Sequence, residues 1–595
     1  MKRGRVAGSI LVAVIALLLN SFLLAQAPAP QEPKEIDLTW AVKIPMRDGV
    51  TLNGTVYKPK PQAEPLPVVF TFTPYISDTY HERAMYFARN GYVFVLVDVR
   101  GRGNSEGKFE PFVNEGRDGH DVVEWMARQP WSNAKVTMWG GSYAGFDQWS
   151  VLKEFPPHLS TIVPVASAHP GVDFPFQNNI FTSYATQWLT YTSGVTPQVS
   201  LFGEQSYWRQ KFRERYMAHA AFRELDRIVG NPSPIFQKWL DHPIPGAYYD
   251  AMVPGAEQYK KMSVPILSIT GHYDGDQPGA MEFYKRHMQY GTPVAKENHF
   301  LIIGPWDHAG TRTPRREVGG LRFGEASILD MNKLHREWYD WTMKGGTKPE
   351  FLKKRVAYYV VGPGAENWKY ADSLETISNE KRVLYLHSTG GASDVFNSGA
   401  LRGEIPGEQK PDTWTYDPLD TRPGELEKQP AQNYVLDQST AMNLMGNGAV
   451  YHTAQFAEAT EISGYIKLTA WIALDVPDTD FAAGLYEIQP DGTSVQLTAQ
   501  LMRARYRESL RAEKMAKPGE INRYVFDKFK WFSRRIMKGS RLRLVIVCPN
   551  SIQIQKNYNS GGVVANETGK DARTARVTLY HDAKQPSALE LPIVK

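Results

Sequence analysis

A chain of 595 residues is about four times the roughly 150 residues of a common domain, so several domains and a large core are expected and a small single module is excluded. Charged residues make up 22% and hydrophobic residues 42%, with 68 Lys and Arg against 63 Asp and Glu; this excludes disorder as the main state and gives no electrostatic case for nucleic acid. The one cysteine, Cys548, excludes an intrachain disulfide, a multi-cysteine metal site and a dithiol redox pair.

Residues 1–27 have the pattern of a secretory signal: basic Lys2, Arg3 and Arg5, an apolar run from Ile10 to Leu19, and the small residues Ala25 and Ala27. A cut after Ala27 would leave Pro28 first, which is awkward for a peptidase, so a cut after Ala25 is the alternative. An uncleaved membrane anchor is the competing interpretation, because Phe22 to Leu24 lengthen the apolar stretch. No cysteine stands directly after the cut, as a lipid anchor would need, and no later apolar run is long enough to span a bilayer. The mature chain is expected to be exported to the periplasm or the medium, near electrical neutrality and without stable membrane association.

From Val68 to about Ala168, short apolar runs alternate with helical stretches. Val68–Phe72 and Val93–Val97 suit strands covered on both faces. His81–Asn90 and Asp118–Arg128 have helical spacing. Strands alternating with helices mean a parallel sheet, and the rhythm returns at Val264–Thr270 and His299–Gly304. Between these parts the chain is aromatic-rich, helical near Tyr184–Tyr191 and Tyr207–Leu225, and lacks strand patterns. It is expected to cover one end of the sheet. Beyond about Lys354 the helices nearly vanish. Ile466, Leu468, Ala470, Ile472 and Leu474 alternate at period two, as do Leu542, Leu544 and Ile546, with Pro490-Asp491-Gly492 as a turn. The expected layout is therefore an α/β core in two parts, 28–172 and 263–354, a helical cap at 173–262, and a β-sandwich at 355–595.

Residues 136–145, V-T-M-W-G-G-S-Y-A-G, form a strand, a glycine pair, a serine, and small residues entering a helix. This is the pattern of a nucleophile elbow, in which the strand and helix pass so closely that Gly140 and Ala144 must be small. A serine needs a histidine to take its proton and a carboxylate to orient that histidine. In an α/β-hydrolase they follow in the order serine, acid, histidine, each after a strand. Val264–Thr270 leads to Asp274, and Phe300–Gly304 leads to His308. Ser142, Asp274 and His308 are thus the candidate triad, with Asp276, Asp307, His272 and His299 as rivals. For the oxyanion, the Tyr143 N–H follows the nucleophile, and Tyr75 supplies a hydroxyl where the loop after Val68–Phe72 has no glycine run to offer N–H groups.

The stretches D-V-R-G-R-G-N-S-E-G at 98–107, W-M-A-R-Q-P-W at 125–131 and G-G-S-Y-A-G-F-D-Q-W at 140–149, with P-D-T-D-F at 477–481, resemble the CocE/NonD hydrolases over nearly the whole mature chain. The resemblance implies an α/β-hydrolase core, a helical cap and a C-terminal jelly roll. It also implies hydrolysis of esters or amides of small molecules through an acyl-enzyme, with no metal or organic cofactor. By match it places the nucleophile at Ser142, oxyanion donors at Tyr143 and Tyr75, and the acid and base at Asp274 and His308.

In relatives that act on α-amino acyl groups, a carboxylate cluster grips the substrate ammonium. The corresponding positions here hold Asp276 and Gln277, with Phe176 and Gln177 near the third and only Asp173 acidic in that segment. Asp276, Gln277, Phe176 and Trp188 are accordingly the candidate substrate contacts, and neutral or aromatic acyl groups are expected to be preferred. An X-Pro dipeptidyl-peptidase and a non-catalytic secreted binding protein are the alternatives.

Overall fold

The computed structural model describes residues 35–364, 367–427, 432–439 and 442–595, so the signal segment expected at residues 1–27 lies outside the described residues. The apolar runs form strands with both faces covered. Every residue of Val93–Asp98 is buried, as is all of Leu66–Thr73 except its first residue.

Among the described residues these strands belong to a ten-stranded sheet. Its spatial order is Glu35–Pro45, Thr51–Lys60, Val93–Asp98, Leu66–Thr73, Ser132–Gly141, Leu159–Val165, Ile266–Tyr273, His299–Asp307, Val356–Val360 and Asn367–Ala371. The strands from Val93–Asp98 to Val356–Val360 run parallel, and the outer pairings are antiparallel. Parallel neighbours require crossovers, which include the helices His81–Arg89, Tyr143–Leu152 and Gln277–Tyr290. The last two are joined by Trp149 stacked on Phe283, with centroids 5.0 Å apart and planes 4° from parallel. Functional loops therefore collect at the carboxyl ends of the strands, where ligands bind in open α/β sheets.

The core does not stop at residue 354. Val356–Val360 pairs in parallel with His299–Asp307, and Asn367–Ala371 closes the edge, so the boundary with the sandwich moves past Ala371. A short, fully buried apolar strand has the same sequence character in either sheet, and only its pairing assigns it. In the cap, Tyr184–Tyr191 is helical as expected, whereas the helix expected over Tyr207–Leu225 spans Gln205–Met217 and ends before Leu225. His219, with φ 49°, lies just beyond its end. The cap also contains a hairpin, Phe176–Gln177 with Ile180–Phe181, turned by Asn178 and Asn179 at φ 49° and 67°. Asparagine tolerates that conformation in two-residue turns.

The C-terminal part is a mostly antiparallel β-sandwich with its own core. The alternating residues Ile466, Leu468, Ala470, Ile472 and Leu474 are all buried in it, together with Leu542, Leu544 and Ile546. It grips the cap through Arg503 Nη1, which donates to Asn179 O at 3.1 Å, and Ser183 Oγ, which donates to Ile552 O at 2.9 Å. Among the described residues no helix is long and apolar enough to cross a membrane.

Candidate active site

The strand Ser132–Gly141 runs into Ser142 and at once into the helix Tyr143–Leu152. Ser142 has φ 64° and ψ −123°, a conformation that L-residues rarely adopt unless their surroundings impose it. Those surroundings are visible. Its N–H donates to Val165 O at 3.0 Å and Ala166 O at 3.1 Å, and its carbonyl accepts from Gly145 N at 2.9 Å and Phe146 N at 3.0 Å. A Cβ on Gly140 would lie 2.5 Å from the Ala144 Cβ, so both flanking positions must be small.

Ile266–Tyr273 delivers Asp274, and His299–Asp307 delivers His308. His308 Nδ1 donates to Asp274 Oδ1 at 2.8 Å. Asp274 has no exposed surface and accepts further bonds from Thr270 Oγ1 at 2.9 Å and Asp276 N at 3.0 Å. Burial works to raise its pKa, but the bond from His308, the charge beside it and these donors hold it below the ordinary carboxylate value. It remains an anion able to orient the imidazole. Of the rivals, Asp276 Oδ2 is 3.8 Å from His308 Nδ1. Asp307 instead accepts from Gly310 N, His272 binds Tyr359 O, and His299 is buried against Ser268 and His287.

Tyr75 follows the strand Leu66–Thr73. Its hydroxyl accepts from Trp188 Nε1 at 3.0 Å and faces the same cavity as Ser142. A phenol that accepts from an indole keeps its own proton for another acceptor, so Trp188 leaves Tyr75 free to donate toward the serine. Burial raises the Tyr75 pKa well above that of a free phenol. Tyr143 begins its helix, where the first N–H groups have no intrahelical acceptor. The Tyr143 side chain faces away from the cavity's chemistry: its hydroxyl donates to buried Glu115 and accepts from Phe112 N at 2.7 Å.

Ser142, Tyr75, Tyr143, Asp276 and His308 line one cavity of about 370 Å³. Phe112, Phe174 and Trp188 supply an aromatic side, Asp173 and Gln177 a polar one, and Leu501 and Ile554 bring the β-sandwich into the wall. Two expected substrate contacts lie elsewhere. Phe176 is buried against Phe181 and Tyr249 as cap core. Gln277 is spent on the main chain, donating to Gly271 O and Trp531 O and accepting from Trp531 N at 2.7 Å. Asp173, the one acid of its segment, lines the cavity with Asp276, so the wall carries two carboxyl groups.

Two further residues emerge only in three dimensions. Arg102, fully buried in the D-V-R-G-R-G turn, donates to Pro74 O and Thr192 O, both at 2.8 Å, and to Ser193 O and Gly194 O. It ties the loop of Tyr75 to the end of the cap helix that carries Trp188. A Cβ on Gly103, at φ 56°, would collide with the Asp98 carboxylate, so this turn needs its glycine. Lys530, from the β-sandwich, donates from Nζ to Asp274 O at 2.8 Å. The quoted motif around Arg102 was a visible signal; nothing local marks Lys530.

A serine at a strained strand-to-helix elbow, with an aspartate-bound histidine across one cavity of a parallel sheet, defines the class: a serine hydrolase of the α/β-hydrolase fold. A family model described as X-Pro dipeptidyl-peptidase (S15 family) matches residues 48–310, and the X-Pro dipeptidyl-peptidase C-terminal non-catalytic domain matches residues 339–590. Cocaine esterase from Rhodococcus sp. is 26% identical over 583 residues, covering 93% of this chain and 98% of the relative. Among solved structures, an aminopeptidase from Thaumarchaeota archaeon is similar with TM-score 0.80 and 21% identity over 96% of this chain and 99% of its own. An α-amino acid ester hydrolase is similar with TM-score 0.79 and 20% identity, over 96% and 98%. A CocE/NonD family hydrolase from Staphylococcus aureus gives 0.66 and 18%, over 94% of each. Over nearly its whole length the chain is thus similar to S15-type serine hydrolases and to cocaine esterase. A non-catalytic binding protein is thereby set aside.

Proposed function

We propose that this chain hydrolyses esters or amides of small acyl substrates through an acyl-enzyme on Ser142. His308 takes the hydroxyl proton as Oγ bonds to the acyl carbon, and Asp274 stabilises the resulting imidazolium. The oxyanion is met by the Tyr143 N–H and the Tyr75 O–H. Its collapse expels the leaving group, which takes its proton from His308; water then repeats the sequence to free the acid. The observation that carries this reading is the strained Ser142 opening on the same cavity as His308, with His308 Nδ1 2.8 Å from the buried Asp274. Ser142→Ala should lower kcat by at least about 1000-fold in a folded protein, and a fluorophosphonate probe should label wild type at Ser142 alone. Near-full activity of the variant, or labelling at another serine, overturns the assignment.

The second reading, an X-Pro dipeptidyl-peptidase, draws support from Asp173 and Asp276 in the cavity wall, which could answer a free N-terminus. Comparing X-Pro anilides with p-nitrophenyl esters of neutral acids decides between the two. The N-terminal pattern supports export, with the mature chain beginning at Pro28 or Gln26. Intact-mass measurement of the exported protein checks this, and a full-length membrane-bound product would reverse it.

A further inference from the structure

Two carboxylates in the wall of one small cavity would ordinarily make it a cation site, because a buried anion calls for a counter-charge. Asp173 and Asp276 both face the space beside Ser142. Asp173 accepts from the N–H groups of His169 at 2.7 Å and Gly279 at 2.6 Å, yet burial and the neighbouring Asp276 still push its pKa well up, so its ionised form calls for a nearby cation. Asp276 lies beside His308. Among the described residues neither has a lysine or arginine within ion-pair distance. An acyl group with a free amine should on this count be welcome.

The β-sandwich changes that count. Lys530 lines the adjoining cavity, which shares Gln177 and Leu501 with this one; its Nζ donates to Asp274 O and its ammonium is within electrostatic reach of Asp274, Asp276 and Asp173. Its neighbour Trp531 fixes it in place. The Trp531 N–H and carbonyl pair with the two ends of the Gln277 amide, and its ring stacks on His272 with centroids 5.4 Å apart and planes 13° from parallel. No side-chain carboxylate lies within ion-pair distance of Lys530 among the described residues, so its charge is free to act on the cluster as a whole. An entering ammonium would share the carboxylates with this resident cation and be repelled by it. A neutral aromatic acyl group meets no such opposition and has Phe112, Phe174 and Trp188 to pack against.

We propose that Lys530 is a specificity-determining residue, a resident cation from the β-sandwich that answers the acid cluster and so turns the cavity toward neutral acyl groups and away from α-amino acyl groups. This rests on the serine-hydrolase reading above and names its substrate class.

The test pairs a catalytic with a binding readout on the full chain. Phenylacetyl and phenylglycyl esters with one leaving group give a ratio of kcat/KM, and calorimetry gives Kd for phenethylamine and for phenethyl alcohol. In wild type the phenylacetyl ester is expected to be the better substrate. Lys530→Gln should move the ratio at least tenfold toward the phenylglycyl ester and tighten phenethylamine by a similar factor, with phenethyl alcohol unchanged. Lys530→Arg, which keeps the charge, should behave like wild type. Adding Asp276→Asn to Lys530→Gln should restore the discrimination. A uniform loss from a disturbed acid loop cancels in the ratio. If wild type turns over neither ester and a fluorophosphonate leaves Ser142 unlabelled, the hydrolase reading falls and the acyl preference that rests on it falls with it. If wild type turns over the esters but Lys530→Gln moves ratio and amine affinity by less than threefold, or if wild type already prefers the phenylglycyl ester, the proposal is overturned and the hydrolase reading stands.

Discussion

His308 is pulled in two directions. Burial disfavours its cation, the carboxylates of Asp276 and Asp274 favour it, and Arg312 opposes them; the outcome is a pKa above the ordinary histidine value. A general base works only when neutral, so kcat/KM should rise with pH through this raised pKa and fall as His308 protonates below it. Burial pushes Asp276 itself up to about 6, against the charge of His308. Asp276→Asn removes one carboxylate and keeps the Asp274 bond, so the acid limb of kcat/KM is expected to move to lower pH. A limb that stays in place would show that Asp276 does not act on the base. At this scale the legible residues were those with a local signature. Ser142 follows two glycines, and Asp274 and His308 each end a strand. Asp173 and Lys530 acquire meaning only from partners far along the chain, and Gln277, plausible by position, turned out to be a brace for the main chain.

The element that most affects the oxyanion donors is the turn that follows Val93–Asp98. Through Arg102 it holds the Tyr75 loop and the end of the Tyr184–Tyr191 helix together, so the Trp188 to Tyr75 bond inherits its geometry from both ends. Tyr75→Phe should lower kcat by about 100- to 1000-fold, the usual effect of losing one oxyanion donor. Arg102→Lys should lower kcat at least tenfold in wild type and less than threefold in the Tyr75→Phe background, measured as a double-mutant cycle with Tm recorded for each variant. Equal losses in both backgrounds would mean that Arg102 merely holds the fold. Strands and helices of the core were legible because their periodicity is strong. The cap hairpin was not, since its strands are two residues each and its signal is one Asn-Asn pair.

Across the whole molecule, the site is where all three parts meet. The core supplies Ser142, Asp274 and His308, the cap Trp188, and the sandwich Leu501, Ile554 and Lys530. Gln277 is the joint between core and sandwich, making three hydrogen bonds to the main chain. Gln277→Leu would take from the buried Trp531 N–H and carbonyl their side-chain partner, each at about 1–3 kcal/mol, while Gly271 O keeps its bond from Asp274 N. The expected result is a clear fall in Tm, read by thermal unfolding, together with a fall in kcat as the acid loop loosens. An unchanged Tm would show the joint to be dispensable. Fold class was readable from the alternation of patterns along the chain, but the border between core and sandwich was not, because strand pairing is a long-range choice.

That joint also has a consequence in time. The serine elbow is complete once residues up to about the Tyr143–Leu152 helix and its neighbouring strands exist, yet the loop bearing Asp274 is braced by Trp531 and Lys530, made 254 and 256 positions later than the groups they hold. Contacts of such separation form late and slowly. While the polypeptide is still being synthesised it therefore carries a nucleophile without a secured acid, and hydrolytic power arrives only when the end of the chain folds back onto its middle.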